Sequence, residues 1–193
     1  MNYWFTADCH FGHKNIIDYC NRPFSSLEHM NETLIRKWNE RVKKDDIVFH
    51  VGDFCFKSGS ERGEGINVKA KNWEEQLNGK IIFIRGNHDK NNSTKTIIEN
   101  LAITYDNKIV NLIHDPEKAK NMFYEINFVG HVHNLWKCER VRSNFKIIDC
   151  INVGVDVWNF YPVSFQEIMG RYKTWKGVNN GLSRTIRTNS IGN

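Results

Sequence analysis

The chain has 193 residues, 40% of them hydrophobic and 25% charged, a balance that suits one globular domain with a sizeable core and excludes an intrinsically disordered chain. No apolar run approaches the roughly 18 residues needed to span a bilayer, and the opening residues lack the basic leader and apolar length of a signal peptide. The formal charge of +5 is local, because Arg171, Lys173, Lys176, Arg184 and Arg187 occupy a C-terminal stretch without Asp or Glu, leaving 22 basic against 22 acidic residues elsewhere.

The first strand is predicted over Tyr3–Thr6, just before Asp8-Cys9-His10. Residues two apart in an extended segment share a face, so this carboxylate and imidazole can reach one ion. Alone, the triplet equally suits a turn in which Asp8 caps backbone amides. Leu27, Met30, Leu34 and Trp38 recur at spacings of three or four and predict a helix capped by Ser25 or Ser26. A strand over Ile47–Val51 ends at Gly52-Asp53, where glycine permits a tight turn and leaves a carboxylate whose two oxygens can serve two cations. An Asx-turn is the structural alternative. His50, inside this strand, reads as structural, and His29 as an ordinary helix residue. The glycine-bearing stretch 57–65 reads as a mobile loop, and a second helix is predicted over 68–77, stopped by Asn78-Gly79.

Strand Lys80–Ile84 runs into Arg85-Gly86-Asn87-His88-Asp89, the most specific motif in the chain. It puts an amide oxygen suited to a hard cation, an imidazole and a carboxylate on one turn. A short helix is expected over 94–99. Strand Lys108–Ile113 precedes His114, and a helix is expected over 116–121. Strand Ile126–Val129 precedes Gly130-His131-Val132-His133, whose paired imidazoles suit a transition metal. A strand over 147–153 and a short helix over 164–169 complete the series. The alternation predicts an α/β layered fold with polar residues at strand ends, where such sheets build their sites. A domain over 1–170 is expected, followed by a basic tail over 171–193 that reads as a frayed, solvated terminus. Nucleic-acid contact is its functional alternative. Five cysteines without a Cys-x-x-Cys pair imply reduced thiols and a cytoplasmic protein.

The order D-x-H, G-D, G-N-H-D, a lone His and G-H-x-H resembles the calcineurin-like metallophosphoesterase family. The likeness is closest to its small bacterial and phage-type members, through Asp8-Cys9-His10-Phe11-Gly12-His13-Lys14-Asn15-Ile16 and Asn152-Val153-Gly154-Val155-Asp156-Val157-Trp158. It covers residues 1 to about 164. One departure is Asp115-Pro116 after His114, where many relatives have glycine. The resemblance implies a four-layer α-β-β-α sandwich of two mixed β-sheets flanked by helices. It also implies two divalent cations (manganese, iron, zinc or nickel). Asp8, His10 and His133 would hold one cation, Asn87, His114 and His131 the other, with Asp53 bridging. Water acidified by both would attack phosphorus in line. His88 would stabilise the transition state or protonate the leaving oxygen, with Asp89 as its orienter, and Arg85 and His13 are candidate substrate contacts. The expected substrate is a small phosphoester or nucleotide. The alternatives are a nuclease using the basic tail and, on the same fold, a non-catalytic binding scaffold.

Overall fold

A computed structural model describes residues 1–56, 68–89, 94, 96–120, 122–142 and 147–188, the last ten as backbone alone. The expected loop over 57–65 lies outside the described residues. The elements are β1 (Tyr3–Thr6), α1 (Ile16–Tyr19), α2 (Leu27–Arg41), β2 (Ile47–Val51), α3 (Ala70–Glu74), β3 (Lys80–Ile84), β4 (Asn100–Tyr105), β5 (Lys108–Ile113), α4 (Pro116–Ala119), β6 (Ile126–Val129), β7 (Cys138–Arg142), β8 (Ile147–Asn152), a 3-10 turn (Val155–Val157), β9 (Val163–Ser164) and α5 (Phe165–Thr188).

They form two mixed sheets flanked by helices, as expected. One sheet has the order β3-β2-β1-β9, parallel except for β9, and the other β4-β5-β6-β8-β7, with antiparallel edges β4 and β7 around a parallel centre. The two-residue period of the strands decides what each face covers. In β2, Phe49 and Val51 face the other sheet, while Val48 faces the helices. Between the sheets, Phe5, Phe49, Val51 and Ile84 meet Val110, Leu112, Phe128 and Ile151. On the outer face of the first sheet, Leu27, Met30, Leu34 and Trp38 of α2 pack with Val48. Helix α2 begins where Ser26 accepts the backbone N–H of His29, an N-cap bond. His50 is fully buried among the rings of Trp38, Phe54 and Phe83; burial lowers its pKa to about 3, so it stays neutral.

Three expectations are corrected. The stretch around 94–99 is not helical: 96–98 are irregular and lead into β4, an edge strand whose residues alternate between exposed and half-buried. The helix expected over 68–77 is limited to Ala70–Glu74. The basic terminus does not fray at Arg171, because α5 continues to Thr188 and its Tyr172, only 6% exposed, belongs to the inter-sheet core with Phe165, Ile168 and Met169. Apolar residues at 165, 168, 169 and 172 carry the helical stripe past the expected boundary. Among the described residues, no helix is long and apolar enough to cross a membrane.

Candidate metal centre

The carboxyl ends of the parallel strands meet at one rim. Ala7 pairs with Gly154 across the two sheets, and Val155 N–H donates to Ala7 O at 3.0 Å. Asp8 follows β1, Asp53 follows β2, Asn87 follows β3, His114 follows β5, and His131 and His133 follow β6. Five of these positions, Asp8, His10, Asp53, His131 and His133, have φ between 48° and 73°, the left-handed region that non-glycine residues rarely adopt. Such turns let consecutive loop residues aim side chains inward at a single point.

The structure brings all seven expected ligand residues to this rim. Asp8, His10 and His133 each offer a ligand atom within 4.8 Å of the others, and so do Asp8, Asp53 and His114. Asp53 lies between the groups, with Oδ2 3.5 Å from His10 Nε2 and 3.3 Å from His114 Nε2. Asn87 Oδ1 is 3.0 Å from both His114 Nε2 and His131 Nδ1. Asp8, His10, Asp53 and His114 are buried, whereas Asn87, His88 and His131 are exposed. The centre therefore has a closed floor and an open mouth.

Two glycines are sterically required. An added Cβ at Gly86 would stand 2.1 Å from Asp53 Oδ1, and one at Gly52, whose φ is +88°, 2.3 Å from His114 Nδ1. Asp89, expected to orient His88, turns both oxygens to backbone: Oδ2 accepts Asp53 N–H (2.8 Å) and Gly86 N–H (2.7 Å), and Oδ1 accepts Phe54 N–H (3.1 Å). It thereby ties the β2 and β3 loops together. The His88 ring lies edge-on to His10, with centroids 5.4 Å apart. His13 stacks on Phe56 at 4.1 Å, its Nδ1 3.4 Å from that of His10. Arg85 pairs with Glu99 at the other side of the mouth.

Sequence reasoning missed Arg22 and Asp156. Asp156 Oδ2 is 3.0 Å from His133 Nδ1, an acceptor that orients the ring. Arg22 is buried and commits its whole guanidinium. It donates to Asp156 Oδ1 (2.7 Å) and Oδ2 (3.0 Å), to the carbonyls of Asp8 (2.7 Å) and Cys9 (3.1 Å), and to Met30 Sδ (3.4 Å). His114 is oriented similarly, but by a backbone acceptor, with Nδ1 2.9 Å from Val51 O. Asp156 lay in the Asn152–Trp158 stretch that carries the family resemblance, without any sign of its partner, and Arg22 had no hint at all. Asn152 also acts from behind, donating to the carbonyls of His133 (2.7 Å) and Trp136 (2.9 Å).

The electrostatics follow from burial and these contacts. Burial pushes the Asp8 carboxyl up to about 6 against the pull of His114 and His133. Burial works the same way on Asp53, yet the His114 hydrogen bond and nearby imidazoles hold it below the usual carboxylate range. Burial alone would keep His114 and His133 neutral, but the Asp53 bond raises His114 to about 9 and the Asp156 bond raises His133 to about 10. Burial drives His10 well below its ordinary value. Its Nε2 is buried without a hydrogen-bond partner, the costly condition that a cation would relieve. The two carboxylates, four imidazoles and one amide oxygen gathered at this rim fit divalent cations, which compete with protons for such ligands.

The model of the calcineurin-like phosphoesterase family matches residues 1–188. An uncharacterized protein of Methanocaldococcus jannaschii is 39% identical over 170 residues, 84% of this chain and 86% of that protein. The gene 66 protein of Mycobacterium phage L5 is 39% identical over 88 residues, 46% of this chain and 40% of that protein. A crystal structure of an Aquifex aeolicus protein of unknown function shares the fold with a TM-score of 0.64, at 22% identity over 87% of this chain and 97% of that one.

Proposed function

Because the chain belongs to the calcineurin-like phosphoesterase family, we propose that it hydrolyses a small phosphorylated or nucleotide substrate with two divalent cations. Asp8, His10 and His133 would hold one cation and Asn87, His114 and His131 the other, with Asp53 available to both. Such a pair supplies Lewis acidity to the phosphoryl oxygens and makes water nucleophilic at neutral pH. The protein's own part is orientation and proton transfer. Asp89 fixes the loops that carry Asp53 and Asn87. The exposed His88 ring, beside His10, hydrogen-bonds the phosphoryl group or protonates the leaving oxygen. Arg85 and His13, on opposite sides of the mouth, contact the substrate.

The observation that carries this reading is the buried, unpartnered His10 Nε2 facing Asp53 among converging carboxylates and imidazoles. The test is to strip the protein with a chelator, reload it with manganese, zinc or nickel, count bound metal by mass spectrometry, and assay nitrophenyl phosphoesters. Two ions per chain with metal-dependent turnover are expected. A protein that binds no cation and stays inactive in all of them refutes the reading. The nuclease alternative draws on Arg171, Lys173 and Lys176, exposed on α5. Salt-sensitive oligonucleotide cleavage that is lost when these three become Ala would favour it.

A further inference from the structure

Two cavities with no lining residue in common open from the candidate centre, one beside Asn87 and His114 and the other beside His10, His131 and His133. The larger, about 340 Å³, starts at His10, His131 and His133 and is walled by His13, Ile16, Tyr19 and Leu135. The smaller, about 170 Å³, starts at Asn87 and His114 and sets Arg85, Asn100, Asp115 and Lys118 beside Ile113 and Met122 in its wall. A phosphorus atom held at Asp53, between the two groups, can send one substituent into each. A phosphomonoester has only one carbon substituent to offer.

The walls differ in a way that distinguishes the arms. Tyr19 and Leu135 are 70% and 77% exposed, two large apolar side chains turned to solvent at the mouth of a polar site. The Tyr19 ring stands edge-on to His13, centroids 6.3 Å apart, and His13 is stacked on Phe56 with an interplanar angle of 7°. A wall of packed rings with exposed apolar rims recognises a flat, unsaturated group through stacking and apolar contact. At about 340 Å³ the cavity is at the small end of ligand sites, matching one nucleoside rather than a strand.

Resting on the phosphoesterase reading above, we propose that the substrate is a phosphodiester with a nucleobase-like arm in the Tyr19–Leu135 cavity and a polar arm beside Asn87 and His114. Hydrolysis forms one P–O bond from water and breaks the P–O bond to one arm. The departing oxygen takes up a proton that the attacking water gives up, so the products are an alcohol and a phosphomonoester.

The test uses the full chain with added manganese. Bis(p-nitrophenyl) phosphate and p-nitrophenyl phosphate are compared as substrates, and adenosine 5′-monophosphate and inorganic phosphate as inhibitors. The diester is expected to exceed the monoester by about tenfold or more in kcat/KM. Adenosine 5′-monophosphate is expected to inhibit more tightly than inorganic phosphate. Tyr19→Ala and Leu135→Ala should each raise its inhibition constant about fivefold or more, the loss of roughly 1 kcal/mol of stacking or apolar contact. Inhibition by inorganic phosphate should not move. Both side chains are exposed, so folding does not confound the result. Preference for the monoester, or a nucleotide inhibition constant that ignores both substitutions, overturns the proposal while leaving phosphoester hydrolysis intact. Hydrolysis of neither ester overturns both.

Discussion

Replacing Asp156 with Ala is the sharpest test of how the centre is supported. The side chains of Arg22 and Asp156 are 0% and 3% exposed, so the substitution leaves a guanidinium buried without its counter-ion. Two charge-assisted hydrogen bonds disappear, at 2.7 and 3.0 Å, together with the acceptor of His133 Nδ1. Removing one partner of a buried pair costs about 3–5 kcal/mol, a large share of the roughly 5–15 kcal/mol that holds a domain together. At about 2–4 °C per kcal/mol for a chain of this length, the melting temperature should fall by roughly 6–20 °C. Asp156→Asn keeps an acceptor of the same shape and should lose less. Because Asp156 orients His133 and Arg22 grips the Asp8 carbonyl, the milder variant should still bind one of two manganese ions about 10–100-fold more weakly. The second ion, away from His133, should be unaffected. Urea denaturation measures the first effect and calorimetric titration the second. An Asp156→Ala protein within 1 kcal/mol of wild type, or an Asp156→Asn protein weakened equally at both ions, would refute the reasoning.

Three further outcomes follow from the same geometry. His88→Ala should lower kcat by about 10²–10⁴-fold with metal content unchanged, since the backbone N–H of His88, not its ring, bonds Asp53 Oδ1; steady-state kinetics with metal analysis would contradict this if ions were lost. Gly86→Ala should destabilise by about 1–3 kcal/mol and weaken cation binding, because the new Cβ meets Asp53 Oδ1 at 2.1 Å and its backbone N at 2.5 Å; wild-type melting and metal affinity together would be the contrary result. Asp46 accepts the Asn2 and Lys43 N–H groups and the Trp4 indole N–H. Burial opposes ionisation, but these bonds lower its pKa from 3.8 to about 2. A depressed carboxyl adds stability above its unfolded pKa that is lost as pH falls through the folded one. Asp46→Asn should therefore flatten the decline of unfolding free energy between those two values, and an unchanged slope would exclude the role.

The strands that carry the candidate ligands were legible because they are buried and apolar, and a side chain at the end of a buried strand is positioned by sheet register alone. The edges were not. Cys138-Glu139-Arg140-Val141-Arg142 of β7 is charged and largely exposed, the composition by which edge strands avoid pairing with other chains and the one that hides them from a hydrophobic pattern. Strand β9 pairs through only two residues and owes its conformation to β1. Motif order named the candidate ligands one by one but not their support. Arg22 and Asp156 are 134 positions apart, and only the closing of two sheets against each other makes them neighbours. The contacts of Asp89 were equally invisible, since adjacency to His88 suggested an imidazole partner while its oxygens reach the next loop.

The left-handed turns of Asp8, His10, Asp53, His131 and His133 have an evolutionary corollary. An L-residue in that conformation costs roughly 1–2 kcal/mol, and glycine would sit there without strain. At each of these five positions, a drift to glycine relaxes the backbone while deleting a side chain from the centre. Selection for stability alone would therefore erode the site one residue at a time, with the sandwich beneath it left sound. With Asp or His at all five positions, this rim holds backbone strain that the sandwich beneath it does not need.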